Sequence, residues 1–198
     1  MKITDFKYFY PERPTLIHID QPLVDAMSCD KNCVAEKKLN GNRLQLHTAG
    51  KVFDFWDRHE KKMSYVPDDD LMDALMSLEL SGYNLFDGEL RHNKTKGVRH
   101  KIILYDVFIW HDELLIGKPF WYRRNILKGL LKCDAEPLGI SRQYHTGFRE
   151  VFHEVIQDDE VEGLVIKNCR GKLALGRRAA IDSTWMWKIR KPNNSYRF

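Results

Sequence analysis

The chain has 198 residues, of which 43% are hydrophobic and 12% aromatic, which is enough for one substantial hydrophobic core. Its 32 basic and 28 acidic side chains leave a net charge of only +4, so any affinity for nucleic acid has to come from local clusters of Lys and Arg. No apolar run approaches the roughly 20 residues that span a bilayer, and the charged, aromatic start is unlike a signal peptide. We therefore expect a cytoplasmic protein that does not enter a membrane.

The first half of the chain predicts two strands followed by a helix. Residues 34–46 alternate apolar and polar side chains on either side of Asn40-Gly41-Asn42, which predicts a strand, a tight turn and a second strand, with Lys38 at the turn. Residues 68–80 begin with an acidic cap and end before Gly82. Leucines at helical spacing then predict an amphipathic helix, and they are Leu71, Leu75 and Leu78.

The second half mixes strands and helices without regular alternation. Aromatic or β-branched runs predict strands, stripes of apolar residues predict helices, and a polar stretch predicts a loop. The predicted strands are 83–90, 101–110, 164–168, 173–175 and 185–191, the helices are 119–131 and 148–156, and the loop is 93–99. This order favours an α+β domain of largely antiparallel sheets flanked by helices.

The most specific motif is Glu36-Lys37-Lys38-Leu39-Asn40-Gly41-Asn42-Arg43. It resembles the motif Lys-x-Asp/Asn-Gly-x-Arg, which DNA ligases, RNA ligases and mRNA capping enzymes share. Alone this match is weak, because Lys-rich turns are common and Asn-Gly is a favoured turn pair.

Four further segments stand in the order of the same superfamily, from about Pro14 to Lys191. They resemble its Asp-Gly-Glu strand, aromatic-Asp strand, Glu-Gly-hydrophobic-Lys motif and Lys-x-Lys motif, and they are residues 86–90, 104–108, 162–167 and 187–190. The resemblance implies one nucleotidyltransferase (adenylation) domain over residues 1–198. Its fold would be ATP-grasp-like, without the OB-fold into which relatives continue.

The chemistry of that superfamily explains why the motifs carry so many cations. A lysine that attacks the α-phosphate of ATP must be a neutral amine, although its unperturbed pKa is about 10.4. Burial and neighbouring cations disfavour the ammonium form, and the same cations neutralise charge as pyrophosphate leaves. The candidates are Arg43, Lys167, Lys188 and Arg190.

The resemblance also implies a role for each motif residue, with Lys38 as the catalytic nucleophile. Glu36 would read the adenine edge, Tyr105 would stack on the base, and the other nucleotide contacts would be Arg43, Glu89, Lys167, Lys188 and Arg190. Glu89 and Glu162 would hold Mg²⁺, which binds through one or two carboxylates plus substrate phosphates. Taken singly, each could instead be an ordinary strand carboxylate, core aromatic or solvated cation.

Three details resemble DNA ligases in particular: Pro119 followed by Arg123-Arg124, Gly176-Arg177-Arg178, and the opening Pro14-Thr15-Leu16. Arg177 and Arg178 would then contact the phosphates of a nicked duplex. Two departures point away from DNA ligases. Asn40 replaces their usual Asp, as in RNA ligases, and the Ser-Arg pair expected before Gly50 is missing.

We therefore expect an ATP-dependent polynucleotide ligase that seals 5′-phosphate/3′-hydroxyl nicks in double-stranded DNA through a lysyl-AMP intermediate. Such a protein would be a monomer, of cellular or viral origin, acting in the cytoplasm with ATP and Mg²⁺. The alternatives are an RNA ligase acting on RNA, an mRNA capping guanylyltransferase, and a non-catalytic relative that binds nucleic acid.

Overall fold

A computed structural model describes residues 8–92, 99–174 and 181–192. It is a mixed α+β structure dominated by β-sheet, as predicted. The strands are β1 (Arg13–Leu16), β2 (Cys33–Leu39), β3 (Asn42–Ala49), β4 (Val52–Trp56), β5 (Tyr83–Arg91), β6 (Lys101–Trp110), β7 (Glu113–Leu114), β8 (Leu138–Ile140), β9 (Gln143–Tyr144), β10 (Val161–Asn168) and β11 (Asp182–Arg190). The helices are α1 (Pro22–Cys29), α2 (Asp69–Met76), α3 (Phe120–Leu130) and α4 (Phe148–Val155).

The strands form two sheets. The first has the order β1-β11-β10-β2-β9, and the second has the order β4-β3-β5-β6-β7 with β8 pairing β6. Most neighbouring strands are antiparallel, whereas β1 with β11 and β6 with β8 are parallel. The prediction of largely antiparallel sheets is thus confirmed.

The turn after Lys38 connects the two sheets rather than closing a hairpin. Strand β2 pairs with β10 and β9, whereas β3 pairs with β4 and β5. The expected strands exist, but the expected pairing between them was wrong. At this crossing, a Cβ atom on Gly41 would lie 2.6 Å from Cγ of Glu89 and 2.8 Å from the carbonyl oxygen of Leu90. Only glycine therefore lets the chain pass this close to β5.

Most other predicted elements are confirmed within a few residues, and one was wrong. Leu173 does not belong to a strand, because its backbone bonds only to the loop of Gly117 and Lys118. The rest of the predicted strand 173–175 ends at the edge of the described residues, and the predicted loop 93–99 lies mostly outside them. Helix α1 and strand β4 were not predicted. In the described part of the chain, no helix combines the length and the apolar character that crossing a bilayer requires.

Three hydrophobic clusters hold the sheets. The largest lies on the second sheet against α2 and α3, and includes Leu71, Leu75 and Leu127. Another lies on the first sheet against α1 and α4, and includes Val24 and Phe148. The third is small and consists of Val34, Phe120, Trp185 and Met186.

Helix α3 is fixed to the second sheet by a buried ion pair. Arg123 donates from Nε and Nη2 to the two carboxylate oxygens of Asp106, over 2.7 and 2.8 Å. The Arg123 side chain is fully buried and that of Asp106 is 9% exposed. Such a pair adds little net stability by itself, but loss of one partner leaves an uncompensated buried charge.

We expect Asp106→Asn to lower the free energy of unfolding by about 3 kcal/mol, because Arg123 would then be buried without a counter-charge. Urea denaturation checks this. The control is Asp182→Asn, which breaks the exposed pair with Arg13 and should cost far less, because exposed ion pairs add little stability. Equal losses in the two variants would contradict the assignment.

Candidate active site

The motif residues of the first sheet share one face because of strand register. Side chains alternate between the two faces of a strand, so every second residue points the same way. Pairing of β2 with β10 and of β10 with β11 aligns them in three cross-strand rows. From one end of the strands to the other, the rows are Lys38, Gly163 and Arg190, then Glu36, Val165 and Lys188, then Val34, Lys167 and Met186.

Lys38 and Glu162 form an ion pair at this face. The Lys38 ammonium contacts the Glu162 carboxylate, and both side chains are about one-fifth exposed. The register of β10 shifts between Val161 and Gly163, and this irregularity brings Glu162 next to Lys38. Arg190 reaches the same carboxylate at 3.8 Å. The predicted nucleophile therefore lies in the cleft beside an acid and a further cation.

Gly163 explains why the Glu-Gly motif requires its glycine. Its φ is +146°, a backbone conformation that side chains with a Cβ rarely adopt. A Cβ here would also collide with the carbonyl oxygen of Ile189 on β11. The missing side chain lets β11 approach, and it leaves space between Lys38 and Arg190 in their row.

Glu36 is buried among hydrogen-bond donors. Its carboxylate accepts from Lys167 Nζ at 2.7 Å and from Gln143 Nε2 at 3.0 Å, and Arg124 Nη1 lies 3.8 Å away. The Glu36 side chain is 1% exposed. Because each oxygen accepts from an N–H group, both are positioned as acceptors at the base of the cleft.

The second sheet contributes Arg43, Asp87, Glu89 and Tyr105 to the same cleft. Arg43 binds Asp87 through both Nε and Nη2, the first contact being 2.6 Å. Lys167 connects the sheets, since its ammonium lies 3.5 Å from the carbonyl oxygen of Tyr105 and 5.8 Å from the centre of that ring. The cleft is thus lined by both sheets.

Neighbouring cations affect the pKa of Lys188. Burial lowers the pKa of Lys188, and Arg190, Arg13 and Lys38 lower it further. Mutual repulsion of this kind matches the positive field that the sequence predicts around the nucleophile. A groove of about 310 Å³ runs along the same edge.

The structure brings together all the predicted site residues that it describes. The two predicted nucleic-acid contacts, Arg177 and Arg178, lie outside the described residues. No cluster of three metal-binding side chains was found among the described residues. Sequence reasoning missed the roles of Arg123, Arg124 and Gln143. The Arg-Arg pair was a visible signal, but nothing in the sequence marks Gln143.

Glu89 has an altered acidity. Burial raises its pKa from an ordinary 4.5 to about 7, against the lowering effect of the nearby Arg43 and Lys38. Between pH 4.5 and 7 the folded protein therefore binds a proton that the unfolded chain releases. By linkage, the free energy of unfolding falls as pH rises through this interval and is constant above it, as far as Glu89 is concerned.

We expect Glu89→Gln to remove this loss. Relative to the variant, the wild type should lose about 2 kcal/mol of unfolding free energy between pH 4.5 and 7, less than the full shift gives because the Glu89 side chain keeps some contact with solvent. Urea denaturation over that range in EDTA measures it, with exposed Glu79→Gln as the control. Parallel pH curves for wild type and Glu89→Gln would show that Glu89 does not titrate as described.

Comparison with known sequences places the chain among DNA ligases. The family model "ATP dependent DNA ligase domain" matches residues 87–189, a segment that contains Glu89, Tyr105, Glu162 and Lys188 but not Lys38. The DNA ligase of Fowlpox virus is 24% identical over 192 residues, which is 85% of this chain and 34% of the relative. DNA ligase 4 of Phaeosphaeria nodorum is 27% identical over 210 residues, which is 82% of this chain and 21% of the relative. The chain thus spans about a third or less of these curated relatives.

Solved structures share the fold. A mycobacterial DNA ligase D in complex with ATP and MES superposes with a TM-score of 0.70 at 16% identity, over 93% of this chain and 61% of that one. The ATP-dependent DNA ligase of bacteriophage T7 in complex with ATP gives 0.61 at 13% identity, over 91% and 68%. The family model covers more than half of the sequence, and the chain therefore belongs to the family of ATP-dependent DNA ligase domains.

Proposed function

We propose that residues 1–198 act as one ATP-grasp-like adenylation domain of a polynucleotide ligase, in which Lys38 becomes covalently bound to AMP. The observation that carries this proposal is the position of Lys38. It lies on the cleft face of β2, in one row with Arg190 and in contact with Glu162. A lysine on a surface turn would have none of these neighbours.

The adenylation of Lys38 is a substitution at phosphorus. The Lys38 amine, after losing a proton to solvent, forms a phosphorus–nitrogen bond to the α-phosphate of ATP. The bond to the bridging oxygen breaks, and pyrophosphate leaves with its electron pair. Lys188 and Arg190 lie on β11, two strands away on the same face, where their charges would stabilise the negative charge that develops on the phosphates.

Glu36 and Lys167 form a pair suited to adenine. Their 2.7 Å contact places a hydrogen-bond acceptor beside a donor. The edge of adenine offers the complement, a donating amino group beside the accepting ring nitrogen N1. Guanine reverses that order, with an accepting O6 beside a donating N1–H. Such a site favours ATP over GTP, because the wrong base leaves buried polar groups unpaired.

Tyr105 and Phe120 supply aromatic surface next to that pair. The Lys167 ammonium is 4.5 Å from the centre of the Phe120 ring and 5.8 Å from that of Tyr105. Tyr105 is the ring that we propose to stack on the base. Arg43 and Glu89, which are cross-strand neighbours on the second sheet, would hold the ribose and phosphates.

Mg²⁺ fits the carboxylates of the site. Glu162 and Glu89 are near enough for the charge of the first to raise the pKa of the second. Because Mg²⁺ is usually bound by one or two carboxylates together with substrate phosphates, a cage made only of protein ligands is not needed. When bound, the ion would offset negative charge on the triphosphate. Glu89 and Glu162 are the residues that would hold it.

The later steps concern a polynucleotide. The similar proteins are DNA ligases, and we propose that the AMP passes from Lys38 to the 5′-phosphate at a nick in double-stranded DNA, after which the 3′-hydroxyl displaces it. Arg177 and Arg178 are proposed to contact backbone phosphates near the nick.

We expect wild-type protein incubated with Mg²⁺ and α-labelled ATP to retain label after denaturation, and Lys38→Arg to retain none, because a guanidinium is not a nucleophile at neutral pH. Lys37→Arg is the matched control, since the adjacent lysine points to the opposite face of β2 and should keep near-normal labelling. Undiminished labelling of Lys38→Arg would refute the assignment of the nucleophile.

We expect the adenylated protein to seal a nicked DNA duplex and to discharge its label onto the 5′-phosphate. Gel electrophoresis of fluorescent nicked DNA, nicked RNA and a DNA lacking the 5′-phosphate measures this. Sealing of RNA alone would identify an RNA ligase, and preferential labelling by GTP would identify capping chemistry. Either result would overturn the DNA substrate proposed here.

A further inference from the structure

We propose that Gln143 and Arg124 are positioning residues that fix the Glu36 carboxylate and thereby set the preference for adenine over guanine. This inference rests on the proposed function in one respect, namely that Glu36 meets the base of the nucleotide. It goes further by assigning base selectivity to Gln143, which lies outside every motif, and to Arg124, whose motif implied no role for it.

Gln143 is held opposite Glu36 by the sheet itself. Strand β9 pairs with β2 so that Glu36 faces Gln143 and Ala35 faces Tyr144. The Gln143 amide donates to Oε1 of Glu36 at 3.0 Å, whereas Lys167 donates to Oε2 at 2.7 Å. The carboxylate is therefore held from both sides. With Lys167 alone it could rotate about its terminal torsion, which is soft in glutamate.

Arg124 connects this arrangement to helix α3. Its side chain is 2% exposed, and its Nη1 lies 3.8 Å from Oε1 of Glu36. The same Nη1 lies 3.3 Å from the hydroxyl of Ser141, and Nη2 donates to the Ser141 carbonyl oxygen. Ser141 precedes β9 by two residues. Arg124 thus fixes the segment that carries Gln143 while adding a positive charge beside Glu36.

All three neighbours of Glu36 are N–H donors, so its oxygens must remain acceptors. That state suits the amino group of adenine and repels O6 of guanine, which is itself an acceptor. If one donor is removed, the carboxylate gains the freedom to turn, so its oxygens no longer present a fixed acceptor to the amino group of adenine. The discrimination between the bases should therefore weaken.

A cavity beside Gln143 and Arg124 offers a route by which water would weaken this discrimination. It has a volume of about 120 Å³ and is lined by Val34, Phe120, Arg124 and Gln143, among others. This volume exceeds the roughly 30 Å³ that a water molecule occupies in the liquid. Gln143 and Arg124 separate the cavity from Glu36, so a shortened or apolar side chain at position 143 would let water reach the carboxylate.

The test compares ATP with GTP in Gln143→Met, Gln143→Glu and the control Gln157→Met. Gln157 is exposed and bonds only locally, to the carbonyl oxygen of His153. Equilibrium binding of each nucleotide in EDTA gives the ratio of dissociation constants, and labelling with α-labelled ATP or GTP gives the ratio of kcat/KM values. Met keeps the length of Gln without the donor, and Glu adds a carboxylate opposite Glu36.

We expect the preference for ATP over GTP, measured by both ratios, to fall about tenfold in Gln143→Met, which is the effect of losing one hydrogen bond to a charged group. The preference should fall further in Gln143→Glu. KM for ATP should rise more than kcat falls. Gln157→Met should match wild type. A merely structural role would lower activity with both nucleotides equally.

An unchanged ATP-to-GTP ratio in both Gln143 variants overturns the inference, whatever happens to total activity. If the Gln143 variants change binding selectivity as described but the wild type never takes up label, the inference stands and the proposed adenylation is overturned. Absence of any preference for ATP in wild type would overturn both. Arg124→Lys, which keeps the charge but loses the fork on Ser141, should lower the ratio less than Gln143→Glu.

Discussion

The antiparallel pairing of β10 with β2 on one side and β11 on the other is the constraint on which the site depends. These ladders align residues far apart in sequence, so that Lys38, Gly163 and Arg190 form one row. The alternation of side chains then places every second residue in the cleft. A slip of one residue in β2 would turn Lys38 and Glu36 away together. The motif spacings are therefore properties of the sheet as much as of the chemistry.

The crossing between the sheets is the second requirement. Because β2 belongs to one sheet and β3 to the other, the short turn at Gly41 carries the chain from the nucleophile directly to Arg43. A motif of only eight residues therefore contributes side chains to both of the sheets that enclose the site. The buried charges in the cleft are costly to desolvate, and the pairs Arg43–Asp87 and Arg123–Asp106 offset that cost by mutual contact.

Much of this arrangement was predictable from the sequence, and the rest was not, for physical reasons. The sequence identified β5 and β6 through their aromatic or β-branched runs, and α3 and α4 through their apolar stripes. It mistook the turn at Gly41 for a hairpin, because an Asn-Gly pair between two strands is the usual signal for one and the partner of a strand is decided by distant residues. The segment at Leu173 was predicted as a strand because it is a short apolar run. The sequence could not reveal that its backbone bonds to a loop instead of to another strand.

The site shows the same division. Motif residues such as Lys38 and Glu162 were identified because several segments matched one family in order, and the register then brought them together. Gln143 could not be identified, because its importance comes only from the pairing of β9 with β2 across more than a hundred residues. Arg124 was identified only as part of a resemblance to DNA ligases, and its place beside Glu36 is set by tertiary packing that the sequence does not reveal.

A crystal structure of the protein with a non-hydrolysable ATP analogue tests the role of Lys38 most directly. We expect the α-phosphorus to lie within about 3.5 Å of the Lys38 amine, in line for attack, and the adenine edge to meet Glu36 and Lys167. A nucleotide bound elsewhere on the molecule, or bound in the cleft with its triphosphate directed away from Lys38, would contradict this role.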